Sequence, residues 1–171
     1  MKYIVYHGTN ADFNKFSYDF IGTIGSEEGI GFYFSKNKKI ADKYAKKNLL
    51  ECEITLNKLL SNKKITLKKT ETKKLIKEIQ KEKDFLSNYG DIEYEGLNNV
   101  LNEAIRNLYS YCNSDTEILA DICHSLGNIE LVLKTVKKVL GYDGIIEEDN
   151  KFNDTIYIVF DNEDIIIKEN K

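Results

Sequence analysis

The stretch Gly29-Ile30-Gly31-Phe32-Tyr33-Phe34-Ser35-Lys36-Asn37-Lys38-Lys39-Ile40-Ala41-Asp42-Lys43-Tyr44-Ala45 reads as a glycine-bracketed turn, a short aromatic strand and the start of a lysine-rich helix. Glycine lets a backbone turn tightly, or approach a neighbour where a side chain would obstruct. Side chains alternate along a strand, so Phe32, Tyr33 and Phe34 put rings on both faces, and at least one face must be covered. Tyr44 follows Ala41 by three helical positions, on the same side of the helix. Tyr33 and Tyr44, delivered from adjacent elements, can wall a slot for a flat ring. Taken alone, an ordinary strand-to-helix core accounts for the stretch better.

The stretch sits in a chain of 171 residues, the length of one domain with room for a real core. Hydrophobic residues make up 42% and charged residues 31%, the balance of a soluble globular protein. A net charge of -3 gives no global case for nucleic-acid or membrane binding. Cys52, Cys112 and Cys123 lack the close spacing of a disulfide frame or zinc site and suit a reducing compartment. Two distant histidines, His7 and His124, argue against a histidine-based metal site, and no metal is expected. The opening M-K-Y-I-V-Y-H-G-T has too short an apolar run for a signal peptide, and no segment reaches membrane-spanning length. Synthesis and residence in the cytoplasm are expected, and secretion by a dedicated machine would leave no such mark. The lack of proline and the single arginine, Arg106, point to coding bias rather than function.

Before the aromatic strand, Lys2–Tyr6 alternate as a short buried strand that runs into His7-Gly8-Thr9. A histidine at a strand end leaves its imidazole at a rim, and the glycine beside it exposes an N–H and a C=O that together can recognise a carboxamide. A structural rim histidine is the plainer reading. Phe13 and Phe16 anchor a loop or short turn to the core, and Ile21–Glu28 reads as a mobile loop. After the stretch, a helix is expected over Ile40–Leu50, a strand over Leu49–Leu56 and a short strand over Lys64–Leu67.

From about Thr70 to Leu140 the apolar residues recur with helical period, in sets such as Leu97, Val100, Leu101, Ala104, Ile105 and Leu108. Gly90, Gly96, Asn113-Ser114 and Gly127-Asn128 divide this block into about four helices, with Ser114 or Asp115 as an N-cap. The block has no flexible linker at either end, so it reads as an insertion at roughly 70–140 within one domain spanning 1–171. The lysines between Lys58 and Lys83 read as a solvated helix face, with a phosphate-tracking patch as the alternative. Gly141-Tyr142-Asp143-Gly144 is a turn, Ile145-Ile146 opens a short strand ending in Glu147-Glu148-Asp149, and Asp154–Ile167 holds an apolar central strand followed by I-I-I. The order of elements gives an α+β domain.

Y-H-G-T, G-x-G-x-Y-F-S, A-x-x-Y-A and Y-I-V-F-D, in that order, resemble the ADP-ribosyltransferases of the diphtheria-toxin and poly(ADP-ribose) polymerase class. The resemblance is closest to the ADP-ribosyltransferase domains of polyvalent proteins of phages and mobile elements. L-E-C-E-I-T-L-N-K-L-L after the second tyrosine and Y-D-G-I-I before the last strand belong to the same pattern, which covers residues 3–60 and 141–167. The resemblance implies a split mixed β-sheet core carrying the helical insertion. It implies that His7 holds a ribose of NAD through a ring nitrogen, that the Gly8 backbone bonds the nicotinamide carboxamide and that the Thr9 hydroxyl contacts ribose. Ser35 joins these as a binding residue, and Tyr33 and Tyr44 would sandwich the nicotinamide ring. NAD would be consumed as a glycosyl donor, with no metal and no Rossmann fingerprint.

The family pattern carries a glutamate immediately before the Y-[IV]-V-[FY]-D strand, and this chain has Ile156 there. Asp154, two residues back on the same strand face and about 7 Å away, is the expected catalytic substitute. Glu147, Glu148 or an acid of the substrate are alternatives, and solvated rim charge is the plain reading for all three chain residues. The resemblance implies a mono-ADP-ribosyltransferase acting on a macromolecular target, in the manner of a toxin or phage–host conflict effector. The overall acidity favours a protein acceptor, while the lysine-rich segment keeps nucleic acid open, and a cognate antitoxin or immunity protein would fit such a role. Two other readings stand beside it: an inactive module that binds NAD or a protein partner, and a helical interaction protein whose strands are scaffold.

Overall fold

A computed structural model describes residues 1–21, 30–81, 94–126 and 128–168. The expected loop at Ile21–Glu28 and the break at Gly90 lie outside these residues almost entirely, as does Gly127. Strands β1 (Lys2–Thr9), β2 (Phe32–Ser35), β3 (Asn48–Thr55), β4 (Leu59–Ser61), β5 (Gly144–Asp149), β6 (Asp154–Val159) and β7 (Ile165–Ile167) form one seven-stranded sheet. Its order is β4-β5-β6-β2-β1-β3-β7. Among the described residues only β4 and β5 pair in parallel, so the sheet is mixed and the fold is α+β, as expected.

Alternation divides the sheet's side chains between two cores. Residues directly opposite one another in a ladder share a face. On one face Val5, Phe32, Phe34, Cys52, Ile54, Tyr157 and Val159 pack with Phe16. On the other, Ile145 and Ile158 lie beneath α2 (Lys69–Ile79), α4 (Asp115–Leu126) and α5 (Ile129–Thr135), with Leu75, Leu119 and Leu133 fully buried between. The remaining long helix, α3 (Tyr94–Tyr111), packs against α2. The described residues of the 70–140 block therefore cover one face of the β4–β5–β6 half, and four α-helices occur among them.

Three local expectations are corrected. Helix α1 spans Lys38–Tyr44 and does not run on to Leu50. The eight-residue ladder from Lys2↔Thr55 to Thr9↔Asn48 claims the chain from Asn48 onward, and ladder pairing outweighs weak helical periodicity. The strand expected at Lys64–Leu67 is a loop, because the buried Asp115 carboxylate takes the N–H groups of Thr66 and Leu67 at 2.7 and 2.8 Å; Leu59–Ser61 pairs with β5 instead. Gly96 falls inside α3 rather than between helices. Of the N-cap candidates Ser114 does the capping, accepting from Glu117 N at 3.2 Å. The α2 lysines 69, 74 and 77 are exposed, opposite a buried side of Thr72, Leu75 and Ile79.

Gly31 has φ +89°, and a Cβ there would lie 2.6 Å from Ile158 Cγ2 and 2.8 Å from Val159 O. Its absent side chain lets β2 enter the sheet against β6, so the glycine serves the chain's own backbone.

Candidate active site

β1 delivers His7 and Gly8 to opposite faces of the sheet. Met1 O accepts from Leu56 N at 2.8 Å, which makes the odd residues of β1 the ones hydrogen-bonded to β3. The even residues, Tyr6 and Gly8, accordingly turn their N–H and C=O towards β2. Pairing between β1 and β2 is confined to Tyr6↔Ser35, so beyond that point the ladder stops. Gly8 sits at this split.

At the split a side chain takes over from the ladder. His7 Nδ1 lies 2.8 Å from Tyr33 O. A carbonyl only accepts, so Nδ1 carries the proton and the neutral ring presents Nε2 as an acceptor. Burial lowers the His7 pKa below its ordinary 6.5, against the smaller opposing pull of the Tyr33 carbonyl. The ring is caged by Phe16, Phe34 and Phe13, at centroid distances of 5.0, 5.7 and 6.3 Å. Phe13 and Phe16 thus do more than anchor a loop: they fix the imidazole's orientation and keep it neutral. Their spacing beside H-G-T was the signal available in the sequence.

Gly8 is required by packing. A Cβ at Gly8 would meet Ala41 O at 2.3 Å, Ala45 N at 2.6 Å and the Tyr44 carbonyl carbon at 2.8 Å. The C-terminal turn of α1 therefore lies directly on Gly8, and Tyr44 is brought to the same place. Ala41 is buried and Tyr44 is 69% exposed, so Tyr44 stands clear of the helix's packed side. Tyr33 projects to the face that carries Gly8 and α1, packs at the margin of the helical core, and has its hydroxyl shielded from solvent. Tyr33 and Tyr44 share a face and a neighbourhood with Gly8.

Thr9, Ser35 and Asp154 are engaged locally. Thr9 Oγ1 accepts from Ala11 N at 3.1 Å. Ser35 Oγ donates to Asp154 Oδ2 at 2.5 Å and accepts from Asn37 N at 3.0 Å. Asp154 is buried, and its Oδ1 accepts from Asn37 N at 2.9 Å and Thr155 N at 2.7 Å. Asp154 and Ser35 together tie the β2–α1 turn to the start of β6. Asn37, which also caps α1 by accepting from Lys39 N at 3.0 Å, belongs to this anchor. Sequence reasoning passed over Asn37, although Ser35-Lys36-Asn37 before a helix carries an N-cap signal.

In this sheet Ile156 stands between Ser35 on β2 and Glu147 on β5. Glu147 is half-buried and accepts from Asn62 Nδ2 at 2.8 Å. Glu148 is exposed and faces the other side of the sheet, opposite Thr155. His124 is exposed on α4, remote in sequence and in fold from this ensemble.

The strand pairing and the packing of α1 bring His7, Gly8, Tyr33 and Tyr44 together at the β1–β2 split. The model of ADP-ribosyltransferases in polyvalent proteins matches residues 1–170. The chain belongs to that family. The match runs through the helical block, which the motif resemblance alone had left without a counterpart. No curated protein and no solved structure matches the chain significantly. In this ADP-ribosyltransferase domain no group of three or more His, Cys, Asp or Glu that could hold a metal occurs among the described residues. No described helix is long and apolar enough to cross a membrane. Cys52 and Cys123 are buried free thiols, pushed up to about 12 by burial, and play no part in the site.

Proposed function

We propose that this domain is a mono-ADP-ribosyltransferase that uses NAD to modify a macromolecular acceptor, protein in preference to nucleic acid, as a toxin or phage–host conflict effector. The observation that supports it best is the neutral His7 beside Gly8, where the β1–β2 ladder stops. In this reading the ligand lies in the gap between β1 and β2. His7 Nε2 accepts a ribose hydroxyl on one side, and Gly8 offers its N–H and C=O to the carboxamide on the other. Tyr33 and Tyr44 flank the nicotinamide ring. Cleavage breaks the bond between ribose C1′ and the nicotinamide nitrogen, and its electron pair leaves with nicotinamide. The acceptor's nucleophile bonds C1′ and gives up its proton. Positive charge develops on the ribose meanwhile, so orientation and charge stabilisation are the enzyme's tasks.

Ile156, with Asp154 committed to the β2–α1 turn, favours a second reading in which the domain binds NAD or a protein without turnover. The purified protein separates the two. Nicotinamide release from NAD, abolished by His7→Ala and stimulated by a cell lysate as acceptor, is the expected result. NAD binding without release under both conditions would establish the binding module, and absence of both would sink the NAD reading. An antitoxin or immunity partner and a cytoplasmic site of action belong to the same proposal.

A further inference from the structure

We infer that Glu147, on β5, supplies the carboxylate that stabilises the ribose cation from across Ile156. The inference rests on the NAD-cleaving reading above. A cation developing at C1′ is best met by a preorganised carboxylate on the face that carries Gly8, Tyr33 and Tyr44. The ladders place the described strand carboxylates on one face or the other. Directly opposed residues share a face, so Glu147, Ile156 and Ser35 form one row across β5, β6 and β2. The adjacent row is Ile145, Ile158 and Tyr33. Packing agrees with this assignment, since Tyr33, Ile156 and Ile158 all belong to the core beneath the helices. Glu147 is therefore one strand spacing, about 4.8 Å, from Ile156, a distance its side chain can span.

The competing carboxylates are otherwise engaged or elsewhere. Asp154 accepts from Ser35 Oγ, Asn37 N and Thr155 N. Asp149 accepts from Lys151 N at 2.9 Å and Phe152 N at 3.3 Å in the β5–β6 turn. Glu53 is held by Lys2 and Lys168. Glu51, on β3 opposite Tyr6 and half-buried on the same face as Glu147, is three strands from Ile156, with no hydrogen bond among the described residues to position its carboxylate. Glu148 is on the far face. Glu147 alone among them is half-buried on the right face with one oxygen, Oε2, positioned by an amide and the other making no hydrogen bond among the described residues. Asn62, held by its own N–H to Ile146 O at 3.3 Å, is the positioning residue. Sequence adjacency made Glu147 and Glu148 equivalent, and strand alternation separates them.

The test measures nicotinamide release, NAD affinity by calorimetry and thermal unfolding for the wild type, Glu147→Gln, Glu148→Gln and the double variant Glu147→Gln/Ile156→Glu. Glu147→Gln is expected to lower kcat by about 100-fold or more, the scale of losing one transition-state charge partner, with NAD affinity held within about 3-fold. Glu148→Gln should stay within about 2-fold of the wild type. A carboxylate restored one strand over, in the double variant, should recover about 10-fold of the lost rate. Retention of rate by Glu147→Gln, or parallel loss of NAD affinity and thermal stability, would overturn the inference while leaving the transferase reading intact. A wild type that binds NAD but releases no nicotinamide overturns both.

Discussion

His7 shows how a residue's chemistry is set by its neighbours. Three phenyl rings remove water from the imidazole and the Tyr33 carbonyl decides which nitrogen keeps the proton. Desolvation disfavours the charged ring, so the folded chain binds this proton less readily than the unfolded chain does. The sign follows from linkage: the stabilisation from a neutral His7 is complete above pH 6.5 and is lost as pH falls through the lowered folded value. Protonation also removes Nε2 as an acceptor. NAD affinity is therefore expected to fall on the acid side with a midpoint below 6.5, and this limb should flatten in His7→Gln, whose amide oxygen accepts at any pH. Calorimetric titration between pH 5 and 8 would show it, and an unchanged limb in His7→Gln would assign the titration elsewhere. β1 runs on through Thr9 with His7 paired to Leu50, so the imidazole is not at a strand end, and only its candidacy was legible in Y-H-G-T. Its protonation was not, because the rings and the carbonyl that set it come from 6 to 27 residues away.

At the scale of elements, buried aspartates hold loops to the sheet. Asp154 ties the β2–α1 turn to β6 through two donors, Ser35 Oγ and Asn37 N. Asp115 gathers Ser61 N, Thr66 N, Thr66 Oγ1 and Leu67 N, joining the start of α4 to the loop after β4. Removing such a carboxylate strands buried N–H groups, each worth about 1–3 kcal/mol. Asp154→Ala is expected to cost about 2–3 kcal/mol in urea unfolding, and Asp42→Ala, on the exposed side of α1, less than about 0.5 kcal/mol. Equal effects would show that Asp154 is not an anchor. The strand pattern of T-I-Y-I-V-F-D announced β6. That the aspartate before it faces inward, to a turn more than a hundred residues earlier, depends on a register that periodicity does not specify.

Across the whole molecule, one sheet separates two cores, and β6 contributes to both: Ile158 to the helical side, Tyr157 and Val159 to the aromatic side. Loss of packing on either face should reach the other through that strand. Leu119→Ala and Phe34→Ala, one in each core, are expected to cost about 2–5 and 3–5 kcal/mol respectively. Each should lower a single transition, monitored by both helical and aromatic circular dichroism. Two separated transitions in either variant would mean that the helical block unfolds as a unit of its own, against the reading of residues 1–171 as one domain.

The sequence by itself determined the kinds of element, the α+β order, the family and the motifs that supply the candidate site. These rest on local signals: period 2 against period 3.6, glycines where no Cβ fits, and short motifs whose residues are neighbours in the chain. The tertiary structure decided what depends on register. It ended α1 at Tyr44 by pairing β3 with β1, moved a strand from Lys64–Leu67 to Leu59–Ser61, committed Asp154 to a turn and set Glu147 opposite Ile156. A one-residue slip in a ladder carries every side chain to the other face, so which acid meets the substrate is a property of strand pairing and not of distance along the chain.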